Sequence, residues 1–143
     1  SVGLQFKKIL LLSFDYEYID YSQIRYREDT DLNEMDDVNT ALSDYLKPVG
    51  NIKTGAELRL GDLSIRGGFT HYGTPYSKND FNKDAKHYSI SSGIGLRVNA
   101  FYFDVSYRYS VREELIRAYD YFDSFVDADY SVSKITTTVG FRF

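Results

Sequence analysis

The sequence contains no cysteine and no tryptophan, only two prolines, and no run of more than four apolar residues. Without cysteine there is no disulfide framework, no thiolate zinc site and no cysteine nucleophile, although this absence names no compartment. A transmembrane helix needs about 20 apolar residues and is excluded. The few prolines and ten glycines argue against a low-complexity chain. A net charge of −4 argues against a nucleic-acid partner, because no basic excess can displace counterions.

Aromatic residues are abundant in the 143-residue chain, at 17%, with 14 tyrosines and 10 phenylalanines, which favour strands. The length predicts a single domain. Seven segments alternate apolar and polar residues with a period of two, over more positions than a typical soluble strand occupies. The second of them could continue to Tyr26. The alternating segments span residues 2–6, 10–18, 52–60, 63–69, 88–98, 101–111 and 135–143.

The polar rows of these segments combine charged residues with serine, threonine and glycine, as expected for a crowded interior that contains water. The apolar rows carry aromatic residues near the strand ends. This pattern is typical of an antiparallel transmembrane β-barrel, whose apolar rows contact lipid and whose polar rows face the lumen. We therefore predict an all-β fold in which residues 1–143 belong to one barrel domain of a Gram-negative outer membrane. A soluble antiparallel sandwich also alternates and is the alternative.

The connections between the segments alternate between short and long, as in barrels with tight periplasmic turns and long extracellular loops. The short ones lie at residues 7–8, 61–62 and 99–100, and the long ones at about 28–50, 73–86 and 112–129. The first and last long connections together carry a net charge of −10, which leaves +6 for the rest of the chain. We expect these acids to form a solvated surface, which divalent cations could bridge to the anionic sugars of lipopolysaccharide.

The longest connection contains the one helical signal. Apolar residues from Leu32 to Leu46 follow helical spacing, after possible caps at residues 29–31 and before the helix-stopping residues Pro48 and Gly50. We expect a short amphipathic helix across the barrel mouth. Its apolar face could collect hydrophobic ligands, or it could pack on neighbouring loops and make them rigid.

Catalytic and metal-binding patterns are present only as fragments. His71 and His87 flank a connection and could meet near the rim, as in a hydrolase, but the sequence has no nucleophile-elbow motif. Residues 29–33 have calcium-loop spacing, yet Glu34 stands where that loop requires glycine. We therefore predict a protein that is not an enzyme and that has no metal site and no cofactor.

The charged residues of the polar rows are the candidate binding residues. We expect the acids among them, including Asp15 and Glu17, to form charge ladders with Lys53 and the arginines in a partly dry interior. The candidates for lining the lumen and binding a substrate are Glu57, Arg59, Arg66, Arg97, Asp104 and Arg108. We expect Arg66, Arg97 and Arg108 to meet a carboxylate ligand, because a guanidinium can bind a carboxylate bidentately.

Seven is an odd number of strands, and a closed barrel needs about eight or more. We therefore expect the chain to be the C-terminal half of a larger barrel, with the other strands on another chain or removed. The alternative is that residues 22–28 and their neighbours form an extra short pair that completes a small barrel. The final Val139-x-Phe141-x-Phe143 resembles the C-terminal aromatic signature of Gram-negative outer-membrane barrels.

Several stretches together resemble the C-terminal half of the FadL/TodX-type outer-membrane transporters. They are Asp15-Tyr16-Glu17-Tyr18-Ile19-Asp20-Tyr21, residues 51–59 (NIKTGAELR), residues 66–76 (RGGFTHYGTPY), Gly93-Ile94-Gly95 and the Phe-rich hairpin at residues 100–109. The resemblance implies a fourteen-stranded barrel with an N-terminal plug, which passes long-chain fatty acids or other hydrophobic compounds by diffusion.

In that family the plug and much of the ligand pocket come from the N-terminal half, so the resemblance assigns no binding residue to this chain. The seven strands would be half of the barrel. Some relatives serve protein-secretion machinery, which implies the alternative of a barrel that docks other envelope proteins.

Overall fold

The computed structural model describes residues 1–27, 35–78, 80–117 and 125–142, and these residues form one antiparallel sheet with the strand order β1-β2-β3-β4-β5-β6-β7. The strands are β1 (Val2–Phe6), β2 (Leu10–Asp20), β3 (Pro48–Leu60), β4 (Leu63–Tyr72), β5 (His87–Val98), β6 (Phe101–Arg117) and β7 (Phe125–Phe141). Helix α1 (Asp36–Tyr45) precedes β3, and neither it nor any other described helix is long and apolar enough to cross a membrane.

The prediction of an all-β fold with seven antiparallel strands and one short helix is confirmed. Within the described ranges the outer edges of β1 and β7 are unpaired, so the sheet is open. No second sheet packs on it there, in contrast to the sandwich alternative. After β2 the chain forms a 3₁₀ turn at Tyr21–Gln23 and no strand as far as residue 27, so this part of the chain supplies no extra strand pair.

The last two strands are longer than predicted. Residues 112–117 and 125–129 were expected in a long acidic loop, but they continue β6 and β7 as a hairpin of two 17-residue strands. Ile116 pairs directly with Val126 across this hairpin, and such cross-strand apolar pairs favour continued pairing among the acids. The sequence also predicts that the rings of Tyr119, Tyr121, Phe122 and Phe125 pack against other loops. Phe125 is the first residue of β7, whereas the other three lie outside the described residues, as does Phe143.

Helix α1 is one turn shorter at its start than predicted. It begins at Asp36, and Met35 occupies the N-cap position without a side-chain hydrogen bond. Asp36 and Asp37 in the first turn interact favourably with the positive end of the helix dipole. The predicted caps at residues 29–31, Leu32 and the calcium-like stretch lie outside the described residues. Pro48, expected to follow the helix, is the first residue of β3, where its missing N–H is tolerated.

Three tight turns lie at the end of the sheet that we call the turn end. Lys7 and Lys8 have φ of 45° and 57°, and the Ile9 N–H donates to the Phe6 carbonyl at 2.9 Å. Gly61 and Asn99 open the other two turns with φ of 65° and 54°. Positive φ at these positions matches the right-handed twist of the strands in a tight hairpin. These turns fix the register of three hairpins, as the short connections in the sequence predict.

The register gives the sheet two chemically different faces, because directly paired residues of neighbouring strands point to the same side. Neither face is covered: Ile135 is 73% exposed, and Val49 is the one buried apolar residue among those that the structure describes. The apolar face comprises Leu4, Leu12, Phe14, Leu58, Ile65, Phe69, Ile90, Ile94, Phe103, Val105, Tyr107, Ile135, Val139 and Phe141. The polar face comprises Asp15, Glu17, Lys53, Glu57, Arg59, Arg66, Ser91, Arg97, Asp104, Ser106, Arg108, Lys134, Thr136 and Thr138.

The longer connections meet at the opposite end of the sheet, the loop end. The side-chain amide of Asn39 in α1 bonds to both the N–H and the carbonyl of Tyr26, at 2.7 and 3.0 Å. Leu46 forms a β-bridge with Tyr76 in the β4–β5 connection. Helix α1 is thus tied to its neighbouring segments, which fits the alternative in which it packs on neighbouring loops and makes them rigid.

Asn82 ties the β4–β5 connection to the long β6–β7 hairpin. This residue is buried, and its side-chain oxygen accepts from the Leu115 N–H at 2.6 Å while its amide donates to the Leu115 carbonyl at 3.0 Å. Both backbone groups belong to the part of β6 that rises beyond β5. Asn82 therefore supplies hydrogen bonds to Leu115, which lies past the end of β5 and cannot pair with that strand.

We expect Asn82→Ala to loosen the outer part of β6, because it leaves the N–H and the carbonyl of Leu115 without their partner. The expected local cost is about 1–3 kcal/mol. Hydrogen exchange of the Leu115 amide measures it, with Lys83→Ala as the control at an exposed neighbour. Unchanged exchange at Leu115 in the Asn82 variant would contradict this account.

Candidate functional site

A network of charged side chains crosses the middle of the polar face. The Glu57 carboxylate accepts from Arg59 Nε at 2.5 Å and from Arg66 Nε at 3.0 Å. Arg66 also donates through Nη1 to Asp104 Oδ1 at 2.5 Å. The side chains of Glu57, Arg66 and Asp104 are only 16%, 32% and 23% exposed, so water screens these pairs less than surface ion pairs. Four of the predicted lining residues thus form one continuous chain of ion pairs.

Two glycines of β5 make room for this network. Glu57 pairs directly with Arg66, whereas Asp104 lies two strands away from Arg66, on the far side of β5. On the intervening strand, Gly93 pairs with Arg66 and Gly95 pairs with Asp104, so no side chain stands between the two charges. A Cβ at Gly95 would overlap the Asp104 carboxylate and approach both terminal nitrogens of Arg66. A side chain at position 95 would therefore force the charged ends of Asp104 and Arg66 to move, so Gly95 makes space for their contact, and its backbone is not left-handed.

A second polar cluster lies nearer the loop end. Glu17 accepts from the side-chain amide of Asn51 at 3.1 Å and lies 3.7 Å from Lys53 Nζ. Asn51 is buried and also accepts from the Gly73 N–H at 3.1 Å. This asparagine joins the ladder of charges to the start of the β4–β5 connection. Asp15 instead accepts a hydrogen bond from the Ser1 hydroxyl at 2.7 Å.

Arg97 and Arg108 do not join the charge ladder, contrary to expectation. Arg97 pairs across the strands with Tyr102, and Arg108 pairs with Ser91 on one side and Lys134 on the other. Neither arginine, nor Lys134, has an ion pair with a carboxylate of the described chain. For Arg108 the reason is positional, because the residues that face it are Ser91, with a hydroxyl group, and Lys134, with the same charge. Arg97 forms no ion pair within the described ranges, although its backbone N–H donates to the Asp62 carbonyl in the turn between β3 and β4.

Two of these three cations, Arg108 and Lys134, line a depression in the polar face. Its volume is about 490 Å³, and Arg108 and Lys134 form one part of its wall while Arg66 and Asp104 form another. Ser91, Ser106, Thr136 and Thr138 add hydroxyl groups to the lining, to which Val105 and Tyr107 also contribute. The depression therefore contains one arginine that is paired with carboxylates, two cations that are not, and hydroxyl groups that can donate hydrogen bonds. This combination suits the binding of an anion.

The two histidines do not form a catalytic pair. His71 pairs with Tyr88 and His87 pairs with Tyr72, so successive positions place the two imidazoles on opposite faces of the sheet. His87 stacks on Tyr72 with the ring centroids 4.3 Å apart. The stacking gives His87 a packing role at the loop end.

Comparison with protein-family models, curated proteins and solved structures finds no match for this chain. Sequence reasoning missed Lys134 as a site residue. It also missed the space-making role of Gly95, although the alternation of Gly93 and Gly95 with apolar residues was visible. The signal for both lies in the cross-strand register, which pairs residues far apart in the sequence.

We expect Gly95→Ala to break the Arg66–Asp104 ion pair, because the new methyl group takes the place of the carboxylate. The loss should cost about 1–3 kcal/mol of unfolding free energy. Gly67→Ala is the matched control, since its Cβ would meet only the Ser91 carbonyl at 4.0 Å. Urea unfolding measures both.

A double-mutant cycle isolates the cause. In an Asp104→Ala background the Gly95→Ala substitution has no carboxylate to displace, so its cost should fall by more than half. Equal costs in the two backgrounds would rule out the proposed role of Gly95.

Proposed function

We propose that this sheet is part of a β-barrel of a Gram-negative outer membrane and that the barrel passes hydrophobic compounds, such as long-chain fatty acids, by passive diffusion. The observation that carries the proposal is the contrast between the two faces. An uncovered apolar face extends over all seven strands, and a network of ion pairs lies directly behind it. Such a sheet suits a position between lipid and a hydrated lumen.

The size of the apolar face supports a lipid-facing position. On β6 the apolar row runs from Phe101 to Val111, roughly 33 Å along the strand, which a tilt of about 40° reduces to about 25 Å in height. This height agrees with the apolar band of outer-membrane barrels. Beyond Val111 the same row continues with Glu113, which pairs with Asp129. The change from apolar residues to acids would mark the membrane boundary.

Aromatic side chains lie near both boundaries of the apolar face. Phe6, Phe101 and Phe141 lie at the turn end, and Tyr16 and Tyr18 lie at the loop end. Aromatic rings favour the interface between hydrocarbon and head groups, so this placement also supports a spanning sheet.

In water, an exposed apolar patch of this extent normally marks a binding surface or a site of aggregation. In a bilayer the same face is stable, because strand pairing satisfies the backbone groups while the side chains contact lipid. The open edges of β1 and β7 require partners there. We propose that further strands close the barrel, as the resemblance to the C-terminal half of FadL/TodX-type transporters implies for a fourteen-stranded protein.

The lipid-facing position predicts a large difference between two neighbouring rows of β7. Ile135→Arg would put a charge into hydrocarbon, at a cost of about 2–4 kcal/mol near the midplane. Thr138→Arg is the control, because it lies on the polar face opposite Asp104. Folding into lipid vesicles, followed by urea titration, compares the two variants.

The outcome distinguishes a membrane protein from a water-soluble one. At a water-exposed position, replacing an isoleucine that is 73% exposed should change stability by less than about 0.5 kcal/mol. An Ile135→Arg variant as stable as the Thr138→Arg variant would therefore remove the membrane placement.

Transport itself is tested by uptake. Cells or liposomes that carry the protein should take up long-chain fatty acids or hydrocarbons faster than those that carry an unrelated barrel, without an energy source. Uptake equal to that of the control barrel would remove the transport proposal. Stoichiometric co-purification with other envelope proteins at the acidic loops would then favour the docking alternative.

A further inference from the structure

We infer that Arg108 and Lys134 bind the carboxylate of a long-chain amphiphile and that an apolar row on β7 holds its tail. The inference rests on the proposed function in one respect, since it requires the polar face to line an enclosed lumen. It assigns the ligand a place and a direction on residues of this chain.

The two cations face each other across β6 and β7. Arg108 and Lys134 are directly paired in the register, a position in which Cβ atoms lie about 4.5–5.5 Å apart. Like charges at such positions repel. No acidic side chain within the described ranges forms an ion pair with either cation. A bound anion would replace this repulsion with charge-assisted hydrogen bonds to both residues.

The surroundings leave these two cations free to bind a ligand. Asp104 also lines the depression but is engaged by Arg66. On the loop-end side, Arg112 forms an ion pair with Glu114, with Nη2 and Oε2 3.1 Å apart. The Arg108 guanidinium can hold both oxygens of a carboxylate while Lys134 adds a second positive charge.

An apolar row begins next to Lys134 on the same face. Every second residue from Lys134 toward the loop end shares its side of the sheet, and this row reads Val132, Tyr130, Ala128 and Val126. Val132, Tyr130 and Val126 are 59%, 50% and 53% exposed. They depart from the polar character of the rest of this face.

The length of the row suits a long alkyl chain. From Lys134 to Val126 the strand advances roughly 27 Å at about 3.4 Å per residue, comparable with an extended long-chain fatty acid. Ile116 pairs with Val126 on the neighbouring strand and widens the apolar surface at the far end. The carboxylate would therefore lie near the middle of the sheet, with the tail directed toward the loop end.

The test measures binding to the protein in lipid nanodiscs of phosphatidylcholine, with empty nanodiscs subtracted. The probes are palmitate, hexadecanol and inorganic phosphate, which separate the charged group from the tail. Arg108→Gln and Lys134→Gln should each weaken palmitate binding roughly tenfold or more and leave hexadecanol binding unchanged. Val132→Asn should weaken both amphiphiles. Arg142→Gln is the control, a polar-face cation at the turn end that should have no effect on any probe.

Three results of the binding measurements would overturn the inference. Palmitate binding that is insensitive to both charge variants would remove the head-group site. Phosphate binding as tight as that of palmitate would assign the cations to small free anions. A loss of hexadecanol affinity in the charge variants would mean that they disturb the fold instead of the head-group contact.

Stability in the absence of ligand provides an independent readout. Lys134→Gln removes a like-charge contact, so it should raise the unfolding midpoint or leave it unchanged. A clear decrease would indicate that a carboxylate of the protein already neutralises the pair, and the inference would fail. The uptake assay distinguishes the transport proposal from the head-group site. If the protein takes up fatty acids but neither charge variant changes palmitate binding, only the head-group site is contradicted. Palmitate binding with the expected dependence, but without uptake, contradicts transport alone.

Discussion

Backbone hydrogen bonds between neighbouring strands are the interaction on which this structure depends. A single layer of strands leaves no interior for a hydrophobic core, and Val49 is the one buried apolar residue in the described part of the chain. Side chains on both faces therefore meet whatever surrounds the sheet. The two faces differ strongly in composition, and within the described residues no shared core links them.

The charge distribution follows from where the small residues lie. Gly93 and Gly95 allow the network of Glu57, Arg66 and Asp104 to pass over β5, and the network stops at Asp104. Beyond it, toward β7, the facing residues are hydroxyls and another cation. The polar face is thus neutralised on one side and cationic on the other. That asymmetry, more than the number of charges, makes one region a candidate for binding anions.

The period-two pattern predicted much of the fold. All seven strands were visible in it because alternation is a local property, and the turns at Gly61 and Asn99 were marked by residues that tolerate positive φ. The end of β6 and the start of β7 were not predicted, because their many acidic residues interrupt the alternating pattern. Cross-strand pairs such as Ile116 with Val126 stabilise these parts of the strands. The ladder residues were predicted as a set, but the isolation of Arg108 follows only from its pairing with Lys134.

The strand order also bears on how the sheet forms. Every strand pairs with its predecessor in the sequence, so no segment has to wait for a distant partner before it finds its place. Such a topology keeps the entropy of loop closure low at each step. The sheet can therefore grow one strand at a time along its free edge. An error in one connection need not disturb the strands that have already paired.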